Sequence, residues 1–534
     1  MAMFSTGVLV LTAPLHTLPL RIVPVLSSAA QLVERTLYVH LHPGLNLGSG
    51  TQPRPVFIPP VVDLSTLITR LYNNAANVCG HLDVRVLLTN VRAHSAANSE
   101  TTVPNCPFPT PQLLSQSPEV VLTDFPLQDV GQSHQVTQCL LKYTGHCYVC
   151  SPKLHSVLLH PQLMKSLRKR QNQEPLETYN DVVVGGTFDR LHGAHKTLLN
   201  ISCLLANRRF LIGVCDQAML KRKVLKDLIE PYSQRVQRLQ EFLQDTKPSL
   251  QLEIVPLHDP FGESIVDPLL QCIVVSEETR KGGEAVNKKR IENGLPVLVL
   301  HEIQLLKDAH RTETEEEKIS SSSLRSRLLG TLLVPPKDTS HLPPLPYVIG
   351  LTGGSGSGKS SIARQLEALG AVRVDCDKLG HEVYQPGTAG YHRVLEEFGS
   401  DILSEDKTIN RRALGRKVFG NQVKKWLMFL HCLCNPVCFA GKQVCVVDAA
   451  VLLEAGWTDM VHEVWVTIIP EEEAVLRITE RDSVTTEDAL RRLQSQWSNA
   501  KQVEHANVVL STLWEPEVTR KQVLKAWNLL QKRI

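Results

Sequence analysis

The 534-residue sequence lacks long apolar runs, a strong charge bias and any regular cysteine spacing. Without a run of about 18 apolar residues, an ordinary membrane-spanning helix is not expected. Lysines and arginines number 57 against 54 acidic residues, and this net charge of +3 gives no support for nucleic-acid binding. Cys432, Cys434 and Cys438 cluster, but no second cluster has zinc-ligand spacing. We therefore expect reduced intracellular thiols.

Acidic residues are also missing before Glu34, and Arg21 is the only strong cation in that stretch. It has too few arginines for a typical mitochondrial presequence and too little positive charge at its start for a secretory signal. Two interpretations stay open: a targeting or peripheral membrane-attachment segment, and the first strand of a buried domain. We expect a cytoplasmic or mitochondrial location, including a peripheral one on the mitochondrial outer membrane.

Residues 1–165 carry no motif with a chemical role. Strand-like patterns predict strands at 10–25, 35–41 and 83–91, and a helix is expected at 64–71. Pro, Ser, Thr and Gln are frequent at 99–135, which favours a long surface loop or disordered spacer. We expect an α/β region whose function, regulatory or targeting, the residues do not specify.

The strongest motif is G-x-x-x-x-G-K-[ST], which residues 353–360 match. A strand-like stretch precedes it at 347–349, and helical apolar spacing follows at 362–366. A flexible Ser/Gly linker would explain the glycines but not this context. Backbone amides would approach a polyphosphate, Lys359 would reach its β- and γ-phosphates, and Ser360 would ligate Mg²⁺. The predicted ATP- or GTP-binding residues are Gly353, Gly354, Ser355, Gly356, Ser357, Gly358, Lys359 and Ser360.

A second motif begins with the strand-like run at 181–184 and continues through Gly185-Gly186-Thr187-Phe188-Asp189. Helical spacing at 191–205 and a strand at 210–214 complete a β–glycine turn–helix–β unit, the usual start of a doubly wound nucleotide-binding sheet. His192 and His195 lie on one face of the first helical turn, beside its positive end. Such a pair alone is more often structural than catalytic; the preceding motif favours catalysis.

Residues 186–195 resemble the T-F-D-x-x-H-x-G-H segment of nucleotidyltransferases related to phosphopantetheine adenylyltransferase, with Ala194 in place of the family's Gly. A basic loop at 221–223, a helix start at 229–235 and I-S-S-S-S-L-R at 319–325 match in the same order. The resemblance implies that His192, His195 and Lys223 stabilise charge during adenylyl transfer. It also implies ATP contacts from Gly186, Thr187, Phe188, Ser320, Ser321, Ser322 and Arg325.

Five prolines between 335 and 346 predict a stiff linker at 334–346, directly before the strand that enters the second motif. Residues 347–534 resemble dephospho-coenzyme A kinase through the glycine-rich loop, D-C-D-K-L-G-H at 375–381 and R-x-x-x-Q at 492–496. Asp377 would orient or deprotonate the attacking hydroxyl, or belong to a turn-forming Asp pair. Arg481 and Arg492, on two successive helical stretches, would neutralise the transferring phosphoryl group.

In this order the two modules resemble the bifunctional coenzyme A synthase family. The expected fold is α/β, with two doubly wound parallel-sheet nucleotide-binding domains, a Rossmann-like nucleotidyltransferase at 180–333 and a P-loop kinase at 347–534. The family would use ATP and Mg²⁺ to convert 4′-phosphopantetheine into dephospho-coenzyme A and then coenzyme A. We expect no nucleic-acid partner and a monomer or weak oligomer, with membrane contact only through the N-terminus.

Two alternatives stay open. The segment at 420–441 is short, cysteine-rich and nearly uncharged where the kinase family has a charged arm. This departure permits a kinase-like domain that binds nucleotide but is impaired in turnover. The second alternative is an adenylyltransferase for another phosphate ester, which is less favoured because no nicotinamide- or cytidyl-type signature is present.

Overall fold

The chain folds around three five-stranded parallel β-sheets, as seen in a computed structural model. The structure describes residues 3–43, 57–91, 113–124, 155–156, 174–312, 315–376, 385–404, 406–410, 413 and 442–534. Across these ranges, no helix is both long and apolar enough to cross a bilayer. The described cysteines are free thiols: Cys79, Cys203, Cys215, Cys272, Cys376 and Cys445. The cluster at 432–438 lies outside the described residues. The α/β fold class is confirmed.

The first sheet has the order β3-β2-β1-β4-β5, and each of its strand pairs is parallel. Its strands are β1 (Phe4–Leu11), β2 (Val33–Leu41), β3 (Asp83–Leu87), β4 (Val120–Thr123) and β5 (His155–Ser156). Its helices are α1 (Ile22–Ala30) and α2 (Val62–Val78). The last six residues of β1 are all buried, which suits a central parallel strand covered on both faces.

Two expectations for this region are wrong. The strand expected at 10–25 is instead the end of β1, a turn and the start of α1. The apolar residues there pack as one helical face, and Pro24 is tolerated because it falls in the first helical turn. The spacer expected at 99–135 contains the buried strand β4. Four apolar or β-branched residues between polar stretches were too short a signal to separate from a loop.

The second sheet has the order β10-β9-β6-β7-β8, again with parallel pairing. Its strands are β6 (Tyr179–Gly186), β7 (Ala206–Cys215), β8 (Gln251–Leu257), β9 (Cys272–Ser276) and β10 (Val299–Ile303). Its helices are α3 (Gly193–Leu205), α4 (Gln217–Leu220), α5 (Tyr232–Thr246), α6 (Arg280–Glu292) and α7 (Ser321–Leu328). Numbered from its own first strand, this order is the same as that of the first sheet.

The first two sheets belong to one compact unit, Met1–Lys226 with Glu230–Ser323. They share a continuous apolar core in which Leu9 and Leu71 cluster with Leu199 and Phe242. Helix α2 packs against α3, the helix that follows the glycine turn. Strand β1 lies in this core. The first residues therefore form the first strand of a buried domain, the second of the two interpretations given above. Membrane contact and cellular location stay predictions.

The third sheet lies in the other compact unit, Asp227–Ile229 with Leu324–Ile534, and has the parallel order β12-β13-β11-β14-β15. Its strands are β11 (Tyr347–Gly353), β12 (Val372–Asp375), β13 (Val444–Asp448), β14 (Glu463–Ile468) and β15 (Val508–Ser511). Its helices are α8 (Lys359–Ala368), α9 (Ala389–Phe398), α10 (Glu471–Asp482), α11 (Thr486–Gln494), α12 (Asn499–Val503) and α13 (Pro516–Gln531).

The chain entering the proline-rich stretch covers the outer edge of the third sheet. Gly330 N donates to Val509 O at 2.9 Å, and Leu333 N donates to Asn507 O at 2.7 Å. These bonds satisfy backbone groups that an edge strand would otherwise leave open. The stretch at 334–346 thus lies within the second unit. The predicted domain bounds stay predictions.

Candidate nucleotide-binding sites

The loop between β6 and α3 has an unusual backbone. Phe188 and Arg190 adopt φ values of 50° and 49°, the left-handed region that bulky residues rarely occupy. Arg235, only 1% exposed, holds this loop from below. Its guanidinium donates to Thr187 O at 2.7 Å, to Cys215 O at 3.0 Å and to Glu230 O at 2.9 Å. Such strain persists where the surroundings fix the backbone, and it is frequent at ligand sites.

Asp189 completes this support because its fully buried carboxylate joins the loop to the segment before α5. It accepts a hydrogen bond from Glu230 N at 3.0 Å and pairs with Arg190 Nη1 at 2.9 Å. Sequence reasoning did not assign roles to Asp189 or Arg235, although both lie in the segments that carry the resemblance. An arginine within a polar helix otherwise indicates a surface charge.

The predicted histidines come together at the start of α3. The rings of His192 and His195 stack with centroids 3.8 Å apart, and the Phe188 ring lies 5.4 Å from that of His195. Ser321 Oγ donates to Asp189 O at 3.0 Å and lies 3.3 Å from His192 Nε2. The structure therefore places Ser321, of the serine run, beside the histidine pair.

Burial lowers the pKa of His195 to about 4. The charge of Asp189 opposes this shift, and the charge of Lys223 adds to it. The imidazole is therefore neutral at pH 7. His195 Nδ1 is buried and has no hydrogen-bond partner among the described residues. A neutral imidazole of this kind can donate a hydrogen bond to a phosphate oxygen without carrying charge.

The other predicted residues of this site differ in placement. Lys223 is exposed and close enough to His195 for its charge to act on it. Ser320 Oγ accepts from Ser323 N at 3.1 Å, so it caps α7, and Ser322 is half-buried. Arg325 is 1% exposed and belongs to the second unit. The roles of these residues stay predictions.

The second candidate site is the turn between β11 and α8. Gly358 precedes α8 with a φ of 82°, a value that residues other than glycine rarely adopt. A Cβ on Gly353 would lie 2.5 Å from Thr467 O, a backbone atom. The turn therefore needs glycine at both positions. It brings the first amides of α8 to the carboxyl edge of the sheet, where an anion would be stabilised.

Two carboxylates stand at the ends of neighbouring strands, and one of them, Asp448, contacts this turn. Lys359 Nζ forms a short ion pair with Asp448, the last residue of β13, which is 1% exposed. Arg373 Nη2 also reaches Asp448, at 2.6 Å, and Asp375 at 2.9 Å. Ser360 is exposed in the first turn of α8. Asp377, the predicted hydroxyl-orienting residue, lies outside the described residues.

Residues far along the chain complete the turn. Gln496 Oε1 accepts from Ser355 N at 2.9 Å. Thr512 Oγ1 donates to Ser357 O at 2.8 Å and accepts from Arg477 Nη1 at 2.7 Å. Sequence reasoning did not assign Arg477 to this turn. The signal for Gln496 was its place in the R-x-x-x-Q match.

The predicted catalytic arginines are exposed and share one partner. Arg481 Nε lies 2.8 Å from Asp482, and Arg492 Nη1 lies 2.7 Å from the same carboxylate. Their positions on α10 and α11 confirm the two predicted helical stretches. The hydrogen bond from Arg481, together with both charges, lowers the pKa of Asp482 to about 2. The catalytic role of both arginines stays a prediction.

Comparisons with known proteins agree with this division of the chain. Family models match as COASY N-terminal domain over residues 5–159, cytidylyltransferase-like over 183–327 and dephospho-CoA kinase over 347–513. The dephospho-CoA kinase of Carboxydothermus hydrogenoformans is 36% identical over 197 residues, covering 35% of this chain and 93% of that protein. The chain belongs to the dephospho-CoA kinase family.

Two further relatives extend the comparison. The dephospho-CoA kinase of Geobacter sulfurreducens is 35% identical over 34% of this chain and 96% of its own length. The phosphopantetheine adenylyltransferase of Saccharomyces cerevisiae is 36% identical over 32% of this chain. The chain spans 54% of the yeast protein, about half of its length. The three matched families and these relatives support a bifunctional coenzyme A synthase.

The comparisons give no support to the alternative of an impaired kinase domain. The atypical segment that prompted it, 420–441, lies outside the described residues. The predicted oligomeric state likewise stays a prediction.

Proposed function

We propose that this chain joins ATP to 4′-phosphopantetheine, releasing pyrophosphate, and then phosphorylates the ribose 3′-hydroxyl of the resulting dephospho-coenzyme A. The observation that carries the proposal is that one chain contains two glycine-containing turns, each before a helix and each at the carboxyl edge of its own parallel sheet, where a phosphate can bind to backbone amides. Relatives of the corresponding segments are named for the two successive reactions. A nicotinamide or other ester substrate has no comparable support.

In the first reaction, a phosphate oxygen of 4′-phosphopantetheine attacks the α-phosphorus of ATP, and the bond to the β-phosphate breaks. The attacking oxygen carries no proton, so no general base is required. What the transition state needs is donors for its negative charge. We assign this role to His192, to neutral His195 and to the exposed ammonium of Lys223. The amides of the strained loop at 186–188 and the serines at 320–322 would hold the ATP phosphates.

In the second reaction, the ribose 3′-hydroxyl attacks the γ-phosphorus of ATP, ADP leaves, and the hydroxyl proton is lost. Lys359 would exchange its partner Asp448 for the β- and γ-phosphates, while the glycine turn at 353–358 would donate its amides. Mg²⁺, which Ser360 would help to hold, supplies charge neutralisation at the phosphates. Asp377 is the proposed acceptor of the hydroxyl proton. Arg481 and Arg492 would leave Asp482 for the substrate phosphates.

A coupled assay with ATP, Mg²⁺ and 4′-phosphopantetheine, with products separated by mass, tests both steps. We expect coenzyme A from the unmodified chain. The Lys359→Met variant should accumulate dephospho-coenzyme A, whereas His195→Gln should still phosphorylate added dephospho-coenzyme A but make little of its own.

Each step can fail separately in this design. If no adenylylated product formed, the first assignment would be refuted. If the unmodified chain stopped at dephospho-coenzyme A, the impaired-kinase alternative would be the better account. Each single-site variant serves as the folding control for the other reaction.

A further inference from the structure

Helix α3, which begins at the histidine pair, is held by the N-terminal domain (β1–β5 with α1 and α2). Lys196, the residue after His195, is 8% exposed and forms a short ion pair with Asp83. Its Nζ also donates to Val84 O at 3.2 Å. A lysine beside a catalytic histidine would ordinarily indicate a substrate contact. Here the side chain is directed away from solvent and into the N-terminal domain.

One turn further along α3, Asn200 makes a second contact to the same domain. Its side chain is fully buried, and its Oδ1 accepts from Tyr72 Oη at 2.5 Å. Tyr72 Oη in turn accepts from Val86 N at 3.0 Å, while Asn200 Nδ2 donates to Val86 O at 3.4 Å. Because Lys196 and Asn200 are four residues apart, both lie on one face of α3. The helix is therefore fixed in rotation as well as in position.

The first turn of α3 also approaches α2 closely. A Cβ placed on Gly193 would lie 3.4 Å from Tyr72 O, an ordinary van der Waals contact, so the first turn of α3 lies within about one methyl group of α2. Desolvation raises the pKa of the Asp83 carboxyl group, but the charges of Lys196 and Arg85 outweigh this effect and hold the pKa below its usual value. The Asp83 carboxylate therefore stays ionised, and its pair with Lys196 persists near neutral pH.

A third contact holds α5, the helix that carries Arg235. Asp245 is 1% exposed and accepts from Arg85 Nη1 at 2.6 Å and from Tyr38 Oη at 3.1 Å. Ser115 N donates to Asp245 at 2.8 Å. The two helices that shape the strained loop are thus both bonded to the N-terminal domain. Their polar groups are buried there and would lack these partners without it.

The N-terminal domain repeats the strand order of the second sheet, but its own turn after β1 is closed. Asp124 Oδ2 accepts from Thr12 N and Ala13 N, each at 3.1 Å, and Oδ1 accepts from Thr12 Oγ1 at 2.7 Å. Thr12 follows β1 as Thr187 follows β6, and strand pairing places Ser276 of the second sheet where Asp124 stands here. A carboxylate thus takes the amides that would face a phosphate. This geometry suits a supporting role.

We propose that Asp83 and Tyr72 of the N-terminal domain are positioning residues for adenylyl transfer, acting through Lys196 and Asn200 on the helix that presents His192 and His195. The inference rests on the proposed function of the first compact unit. A shift of about 1 Å in a catalytic group can lower a rate by about 100-fold. Loss of either contact lets α3 rotate or slide and so displaces the two histidines, while Arg235 still holds the loop before it.

The test uses the full chain with Asp83→Asn, Asp83→Glu and Tyr72→Phe, with Glu119→Gln as the matched control. Glu119 is an exposed carboxylate of the same domain that accepts only from Ser5 N, at 2.7 Å, among the side-chain bonds described for it. Pyrophosphate release from ATP and 4′-phosphopantetheine gives kcat and KM for the first reaction. Phosphorylation of added dephospho-coenzyme A and the unfolding midpoint are measured on the same samples.

We expect Asp83→Asn and Tyr72→Phe to lower kcat of adenylyl transfer by about 10- to 100-fold, with KM for ATP changed less than about threefold. Asp83→Glu, which keeps the charge, should recover most of kcat. Glu119→Gln and the second reaction should be unaffected.

Unchanged kcat in both Asp83→Asn and Tyr72→Phe would overturn the inference. So would a loss of activity that follows the unfolding midpoint and disappears at lower temperature, since it would show a purely structural role. If the unmodified chain released no pyrophosphate with 4′-phosphopantetheine, the function on which the inference rests would be refuted instead.

Discussion

The ionisation state of His195 should not change between pH 8 and about pH 5. Burial lowers its pKa from 6.5 to about 4, with Asp189 opposing and Lys223 adding to the shift. The interval corresponds to roughly 3 kcal/mol at about 1.36 kcal/mol per pH unit. Because the His195 residue as a whole is half-buried, although its Nδ1 atom is buried, we expect about 1–2 kcal/mol of this to appear in stability.

The sign of the effect follows from the depressed pKa. Between pH 6.5 and about pH 4 the unfolded chain binds a proton at this residue that the folded chain does not. His195 therefore contributes its full stability above pH 6.5, and the contribution is lost as the pH falls towards 4. The His195→Gln variant should lose less stability across that interval than the unmodified chain.

An NMR titration of the imidazole signals, with His195→Gln used to assign the resonance, measures the pKa directly. We expect a midpoint near pH 4, and chemical denaturation at pH 7 and pH 5 should show the difference in stability between the two chains. A midpoint between pH 6 and 7, or identical acid sensitivity of the two chains, would refute the argument. In that case His195 would be a cation near neutral pH, and the first site would carry one more positive charge than the proposed function assigns to it.

Three further substitutions test the supports of the two sites. Gly353→Ala should abolish phosphorylation of dephospho-coenzyme A but spare adenylyl transfer in the same sample, because the added methyl meets Thr467 O at 2.5 Å. Thr512→Val keeps the shape and removes two hydrogen bonds, so a denaturation curve should show a loss of about 1–3 kcal/mol in the second unit. Arg235→Lys cannot reach three carbonyls at once and should lower adenylyl transfer at least about 10-fold, and unchanged rates would refute its role.

Local patterns were enough to locate both nucleotide-binding turns. The turn at 353–360 and the one after β6 were predicted because glycines, a preceding apolar strand and a following helix are all written within about twenty residues. Strand β4 was not predicted, because four residues are too few to show a clear periodicity.

What the sequence determined by itself was therefore the place and chemistry of the two turns, the α/β class and the family resemblance. Only the tertiary structure decided which distant residues support them. Arg235 and Lys196 look like surface polar residues in their own helices, and Gln496 looks like one in a loop. The groups Thr187, Asp83 and Ser355, which they contact, lie 48, 113 and 141 positions away. Whether such a side chain is solvated or buried depends on the group that packing brings against it. Sheet order and domain packing set that group, and no local pattern encodes them.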